Sequence, residues 1–371
     1  MTKSDKLLKL SSLGQSIWYD NLSRELLNDG SLKELIATGI LGLTSNPAIF
    51  EKAISSSDIY DNDIRAMSEL NKSDIEIYEE LAVSDIQSAA DLLFDTYIAT
   101  DKIDGLVSLE VNPHLANDTQ GTILEAKRLF KQVDRPNLMI KVPATPEGIP
   151  AIEHLIGEGI SVNVTLIFSL ESYKEVVAAY LSGISSFINK SGDPSSVASV
   201  ASIFVGRVDT SIDKSIEDLN LESKITKGFA GVANAISAYD YFKKSFSSDK
   251  FNDLASQGVR VQRPLWASTA VKNPDIRDVF YIEELIGPNT VNTLPDATLD
   301  AFMDHGVVSN TIDNNISDSF SHLHLIENSE IDLSKIMDDL LSDGVKIFSD
   351  AFDQLIDNVS RKRLSIYSEN L

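Results

Sequence analysis

One lysine lies inside an apolar run. Asn137–Ala144, NLMIKVPA, is bounded by Pro136 and contains Pro143 near its exit, and its continuous hydrophobicity fits a covered strand of a parallel sheet. A charged amine there is costly unless something pairs or uses it. Partial desolvation lowers an amine's pKa and leaves more of it as a free nucleophile, so Lys141 is the first place to look for covalent chemistry on a carbonyl. Polar residues also punctuate the other apolar runs. Asp20 closes SIWYD, Asn46 follows in LTSNPAIF, and Glu110 lies near the end of the run in LVSLEVNP. Asn163 and Thr165 stand two apart in VNVTLIF and so share one side of a strand. Ser202 and Arg207 come from ASIFVGRVD, and Ser268 and Lys272 from LWASTAVKNP.

Taken singly, each has a plainer reading. Asp20 reads as a helix N-cap, Asn46-Pro47 as a turn that starts a helix, and Arg207 as an ion-pair partner of Asp209 or Asp213. Jointly, they place carboxylates, amides, hydroxyls and an amine on successive elements. Lys272 sits in a loop-like context beside Asn273-Pro274, where a protonated amine suits anion binding. Lys141 suits Schiff-base formation. The five histidines show no HExxH spacing, a solvated helix face explains His322 and His324 better than a metal site, and no P-loop is present, so no metal is expected.

The elements that must position these residues alternate along the chain. Strands are expected at Ser16–Asp20, Gly42–Ser45, Gly105–Val111, Asn137–Ala144, Ser161–Phe168, Ser199–Asp209, Arg260–Ser268 and Thr290–Leu294. Helices are expected between them, including Arg24–Thr38, Thr119–Val133, Gly148–Gly157, Glu171–Ile188 and Pro274–Ile286. A long helical excursion covers about 46–98, and an acidic helical region covers about 306–371. Eight strands separated by helices are the arithmetic of an α/β (β/α)8 TIM barrel. A doubly wound sheet would want a glycine fingerprint after its first strand, and none is present. We expect one domain over 1–371. Phe348, Phe352, Leu355 and Val359 fall on one helical face and read as core packing, with Phe348 and Phe352 as a cover for the barrel mouth. Arg361, Lys362 and Arg363 read as a helix C-terminus complementing its dipole.

Composition narrows the partners. Lys and Arg total 32 against 56 Asp and Glu, a formal charge of −24, which argues against a nucleic-acid or anionic-membrane surface. An anionic substrate then needs a local positive pocket. Cysteine is absent, which rules out disulfides and fits a reducing compartment. The N-terminal MTKSDKLLKLSSLGQ lacks a long apolar core and runs straight into the first strand, so no secretory signal is expected and a cytoplasmic location is.

The chain resembles the transaldolase family, in its longer-chain branch, from about Gly14 to Phe302. The motifs that carry the resemblance are GQSIWYDNLSRELL, GLTSNPAIF, VSLEVNP, IKVPAT, VNVTLIFS, FVGRVD and RPLWAST. The resemblance implies a (β/α)8 barrel, circularly permuted relative to other class I aldolases, that works without a metal or organic cofactor. It implies transfer of a dihydroxyacetone unit from sedoheptulose 7-phosphate to glyceraldehyde 3-phosphate, giving erythrose 4-phosphate and fructose 6-phosphate. It further implies Lys141 as the Schiff-base lysine, Asp20 as the base on the C4 hydroxyl, and Glu110 with Thr165 as holders of a proton-shuttling water. Asn46, Asn163 and Ser202 become substrate ligands, and Arg207 the phosphate ligand. The short-chain pattern places an arginine soon after the seventh-strand serine. Here Ser268 and Lys272 are assigned to that second phosphate position. Oligomeric state is left at monomer or homodimer. The alternatives are a fructose-6-phosphate aldolase that releases free dihydroxyacetone and a non-catalytic sugar-phosphate-binding barrel.

Overall fold

Strict alternation along eight buried strands builds the molecule. In the computed structural model, which describes residues 3–368, the strands are β1 Gln15–Tyr19, β2 Gly42–Thr44, β3 Leu106–Glu110, β4 Leu138–Pro143, β5 Val162–Ile167, β6 Ser199–Phe204, β7 Arg263–Ala267 and β8 Thr290–Leu294. They pair in parallel in sequence order, and β8 returns to β1 to close a barrel. The expected (β/α)8 architecture is therefore the one observed.

The side-chain period of two divides each strand between two cores. Ile17, Leu43, Val107, Ile140, Val142, Val164, Ala201, Ile203 and Trp266 join the layer beneath the surrounding helices. Trp18, Leu106, Met139, Val200, Leu265 and Val291 belong to a separate cluster that fills the barrel interior. Two residues further along the same inward rows, the chain turns polar: Asp20, Ser108, Lys141, Ser202 and Thr293. The apolar plug is thus the floor on which a polar layer stands, at the C-terminal ends of the strands.

The opposite end is sealed by a buried ionic cluster. Arg263 on β7 donates to Asp104 Oδ1 at 2.9 Å, to Ser16 Oγ at 2.8 Å and to the Ile103 carbonyl at 2.7 Å. Asp104 also accepts from Ser16 Oγ at 2.7 Å and from the Trp18 indole at 2.9 Å. Gly42 is required beside this indole, because a Cβ there would lie 2.6 Å from a Trp18 ring carbon.

Several local expectations are corrected. The segment Arg24–Thr38 is two helices, Arg24–Asn28 and Ser31–Thr38. Gly30 between them takes φ +87°, and Asp29 Oδ1 accepts from the Ser31 amide at 2.8 Å, an Asx turn that interrupts the helix. The sixth strand stops at Phe204, and Gly206–Asp218 is a helix, so Arg207 stands on a helical first turn. Only Phe280–Glu284 is helical within the expected Pro274–Ile286. The N-terminus carries an unforeseen helix, Lys3–Ser12, that buries Leu7 and Leu10; its Lys6 donates to the carbonyls of Phe302 and Asp304, at the end of the helix Asp296–His305.

The excursion forms the helices Pro47–Ser55, Asp61–Glu69, Asp74–Leu92 and Phe94–Ala99. Across it lies the C-terminal helix, Leu333–Ser368. Leu355, Val359 and Phe352 are buried as the stripe predicts, while Phe348 is turned toward the barrel mouth. Lys362 and Arg363 do not end a helix. They pair with Asp61 at 2.7 Å and Asp74 at 2.8 Å, strapping the helix to the excursion. Nearer the mouth, Gly344 packs on Leu166 and Phe168. Leu166 sits at a bulge in β5 with φ +58°, a backbone state that costs about 1–3 kcal/mol and is held by this packing.

Asp104→Ala leaves the Arg263 guanidinium buried without a counter-charge. We expect a loss of about 3–5 kcal/mol in urea unfolding. The double replacement Asp104→Leu with Arg263→Met should cost less than the single change, and equal losses would contradict the reading.

Candidate active site

Seven of the ten residues singled out from sequence line one cavity of about 170 Å³ at the C-terminal mouth: Asp20, Asn46, Lys141, Thr165, Ser202, Arg207 and Ser268. Register explains the core of the arrangement. Glu110 on β3 pairs with Lys141 on β4, and Lys141 pairs with Asn163 on β5, so three polar side chains form one row. Lys141 Nζ lies 3.1 Å from Glu110 Oε2 and donates to the Ser45 carbonyl at 3.2 Å. Both partners of the ion pair are nearly closed to solvent, with side-chain exposures of 7% and 5%. The contact is electrostatic without satisfying Glu110 Oε2, which accepts no well-directed hydrogen bond. Thr165 Oγ1, also buried, has no protein partner.

Burial pushes the Glu110 carboxyl above the ordinary range, against the pull of Lys141. Asp20 is raised for the same reason; the Thr44 hydroxyl and Lys141 lower it, and Asp296 raises it. Asp20 is partly exposed and lines the cavity, and Thr44 Oγ1 donates to its Oδ1 at 2.6 Å. Thr44 in turn lies 2.6 Å from Thr293 Oγ1.

The remaining assignments divide. Asn163 lies beneath the cavity, its Nδ2 donating to Ser108 Oγ at 3.0 Å and its Oδ1 accepting from Ser202 Oγ at 2.7 Å. Asn46 Oδ1 accepts from the Ile49 amide at 3.1 Å, so the plain helix-cap reading holds while its residue still lines the cavity. Arg207 pairs with no carboxylate among the described residues. Asp209 accepts from Gly231 and Asp213 from Gly228 instead. Its guanidinium lies 5.3 Å from the Phe204 ring and 6.0 Å from Phe348, and burial lowers its pKa without discharging so strong a base. Lys272 is exposed, four residues past Ser268, and does not line the cavity. The phosphate-site assignment of Lys272 thus has no support in the geometry, whereas Ser268 lines the cavity from a left-handed position, φ +57°.

Thr44, Thr293, Phe204 and Phe348 line the cavity without having been assigned to it as ligands. The signal for Thr44 was its spacing two before Asn46 at a strand end, and that for Thr293 its place near the end of β8. Phe348 stands 5.4 Å from Lys141 Nζ, covering it from the C-terminal helix. A larger surface cleft of about 760 Å³, lined by residues such as Phe320, Leu323 and Met337, contains no comparable amine and carboxylate pair. No three His, Asp or Glu side chains among the described residues are grouped so as to hold a metal ion.

A buried amine against a carboxylate, a second carboxylate across the cavity and an unpaired guanidinium at one end can capture a carbonyl, move a hydroxyl proton and hold an anion. The family described as Transaldolase/Fructose-6-phosphate aldolase matches residues 17–359. Transaldolase 2 of Nostoc sp. is 44% identical over 369 residues, covering 96% of this chain and 97% of the relative. Transaldolases of Thermobifida fusca and Trichodesmium erythraeum are each 45% identical, over 96% and 97% of this chain and 98% of each relative. The chain therefore belongs to the transaldolase/fructose-6-phosphate aldolase family.

Proposed function

We propose that this enzyme catalyses the transaldolase reaction, moving a dihydroxyacetone unit from sedoheptulose 7-phosphate to glyceraldehyde 3-phosphate to give erythrose 4-phosphate and fructose 6-phosphate, reversibly. The observation that carries the reading is the buried Lys141 amine, 3.1 Å from Glu110 and facing Asp20 across one small cavity. Lys141 Nζ adds to the ketose C2, and the carbinolamine loses water to give a protonated imine. Asp20 takes the proton of the C4 hydroxyl as the C3–C4 bond breaks, and its electron pair passes into the enamine. An aldose phosphate leaves. The enamine carbon then attacks the acceptor aldehyde, Asp20 returns its proton to the new alkoxide, and hydrolysis frees Lys141.

Glu110 and Thr165 suit the proton traffic of imine formation, since both offer buried oxygen atoms that lack hydrogen bonds from protein. Asn46, Ser202 and, through Ser202, Asn163 suit the sugar hydroxyls. Arg207 suits the phosphate, because a guanidinium fork matches its geometry, with Ser268 beside it. Phe348 limits water at the amine, which favours transfer of the enamine over its protonation and release.

Borohydride reduction in the presence of fructose 6-phosphate should leave one adduct, mapped to Lys141, and Lys141→Met should abolish transfer. An adduct elsewhere, or none, would contradict the Schiff-base reading and favour a sugar-phosphate-binding barrel. The pH profile gives a second test. Asp20 acts as base only when ionised, and its pKa is raised. Activity should therefore be full at high pH and lost as pH falls through a limb above the ordinary carboxylate value of about 4. A limb at or below that value in kcat/KM would contradict the role. Finally, Phe348→Ala should increase release of free dihydroxyacetone relative to transfer, read by trapping both products; an unchanged ratio would remove the covering role.

A further inference from the structure

Asp209 is the one member of the FVGRVD motif whose chemistry the reaction does not use, and it is 1% exposed. It makes no ion pair with Arg207, two residues away. Its Oδ1 accepts from the Gly231 amide at 2.7 Å, on the first turn of the helix Ala230–Phe246. The other carboxyl oxygen, Oδ2, is buried without a hydrogen-bond partner, and the Tyr281 ring, from the helix Phe280–Glu284, would stand 3.3 Å from a Cβ on Gly206. Three segments are pressed together around this side chain. The Val205 amide donates to the Ala267 carbonyl and the Gly206 amide to the Ser268 carbonyl, each at 2.9 Å. A Cβ on Gly206 would stand 2.6 Å from the Ser268 carbonyl oxygen, and one on Gly231 would stand 2.3 Å from that of Val205.

Glycine thus gives the approach, and a side-chain acceptor fastens it. We propose that Asp209 is a positioning residue for the anion-binding end of the cavity: by pinning the first turn that carries Arg207 to Gly231, it fixes Arg207 relative to Ser268. A carboxylate is an expensive pin. Burial pushes its pKa up to about 6, with Asp213 adding in the same direction, while the Gly231 and Ala230 amides and Tyr281 act against it. Its site at two helix N-termini favours the charge that burial opposes. The inference rests on Arg207 being the phosphate ligand.

The test compares fructose 6-phosphate with fructose as donors to the full-length enzyme. Asp209→Ala should lower the kcat/KM ratio for the phosphorylated over the unphosphorylated donor by about tenfold or more, through KM, with kcat for fructose unchanged. Asp209→Asn, whose amide oxygen can still accept from Gly231, should restore most of it. Asp209→Glu keeps the charge but displaces the contact, and it reads the same fall should the alanine variant not fold. In an Arg207→Ala background, Asp209→Ala should lower the ratio no further. Equal losses on both donors, or an undiminished effect in that background, would overturn the proposal. If Arg207→Ala lowers the ratio and neither Asp209→Ala nor Asp209→Glu does, the positioning role fails while the phosphate reading stands. If Arg207→Ala leaves the ratio unchanged, both fail.

Discussion

The site depends on one contact, the ion pair between Glu110 and Lys141 on neighbouring strands. Burying two opposite charges costs several kcal/mol per ion before their attraction offsets it. Here the barrel removes them from water, and the ion pair leaves one carboxylate oxygen short of a hydrogen bond. A core built only for stability would put apolar residues in that row. The register that aligns Glu110 with Lys141 and Lys141 with Asn163 is set by the strands below, where Leu106, Met139 and Val200 fill the interior. The apolar plug and the reactive row are two levels of one alternation, so slipping any of these strands by one residue would turn both outward toward the surrounding helices.

Charge is arranged against the molecule's own field. With a formal charge of −24, the protein repels anions at long range, and screening confines that repulsion to about 8–10 Å at moderate salt. Within that distance the cavity offers Arg207, uncommitted to any carboxylate among the described residues. The other arginines at the surface and in the barrel are largely spoken for, as with Arg263 on Asp104, Arg128 on Glu79 and Glu125, and Arg135 on Asp91. The acidic excess also fastens the cover. Asp61 and Asp74 of the excursion hold Lys362 and Arg363 at the far end of the C-terminal helix, and Asn358 donates to Glu51. Phe348 is therefore placed over Lys141 by contacts well away from the chemistry.

Much of this was legible in the sequence because strands write their two faces as alternate residues. Lys141 was conspicuous as the polar exception in an apolar run, Glu110 and Asp20 stood at or near run ends, and Ser202 interrupted the run of the sixth strand. Thr44 and Thr293 escaped because threonine is an ordinary strand former; beyond their places near strand ends, what distinguishes them from any β-branched residue is the 2.6 Å contact of Thr44 with Asp20 and that of the two threonines with each other. Phe348 and Phe352 share a helical face at spacing four, and periodicity cannot tell which one meets a cavity. Phe352 packs edge-on against Tyr78 and His114, while Phe348 covers the amine. Lys272 misled because a lysine near a strand end resembles an anion ligand, yet the chain beyond Ser268 carries it into solvent.

The two carboxylates show how one cavity separates two tasks. Both are raised by burial and both are lowered by Lys141, but their nearest donors differ. Asp20 leans on a hydroxyl from Thr44, a partner whose charge stays the same through the proposed cycle. Glu110 leans on the reacting nitrogen itself. When that nitrogen is a cation, as ammonium or protonated imine, the buried carboxylate keeps its counter-charge. When the nitrogen is neutral, as the attacking amine, the carbinolamine or the enamine, Glu110 is left with burial alone, which favours taking up a proton. Its proton affinity therefore rises and falls with the charge of the group it serves, whereas Asp20 follows that charge less, since its Thr44 hydrogen bond outweighs the pull of Lys141. The division follows from which side chain each carboxylate touches, and it requires the Glu110–Lys141 contact to be direct.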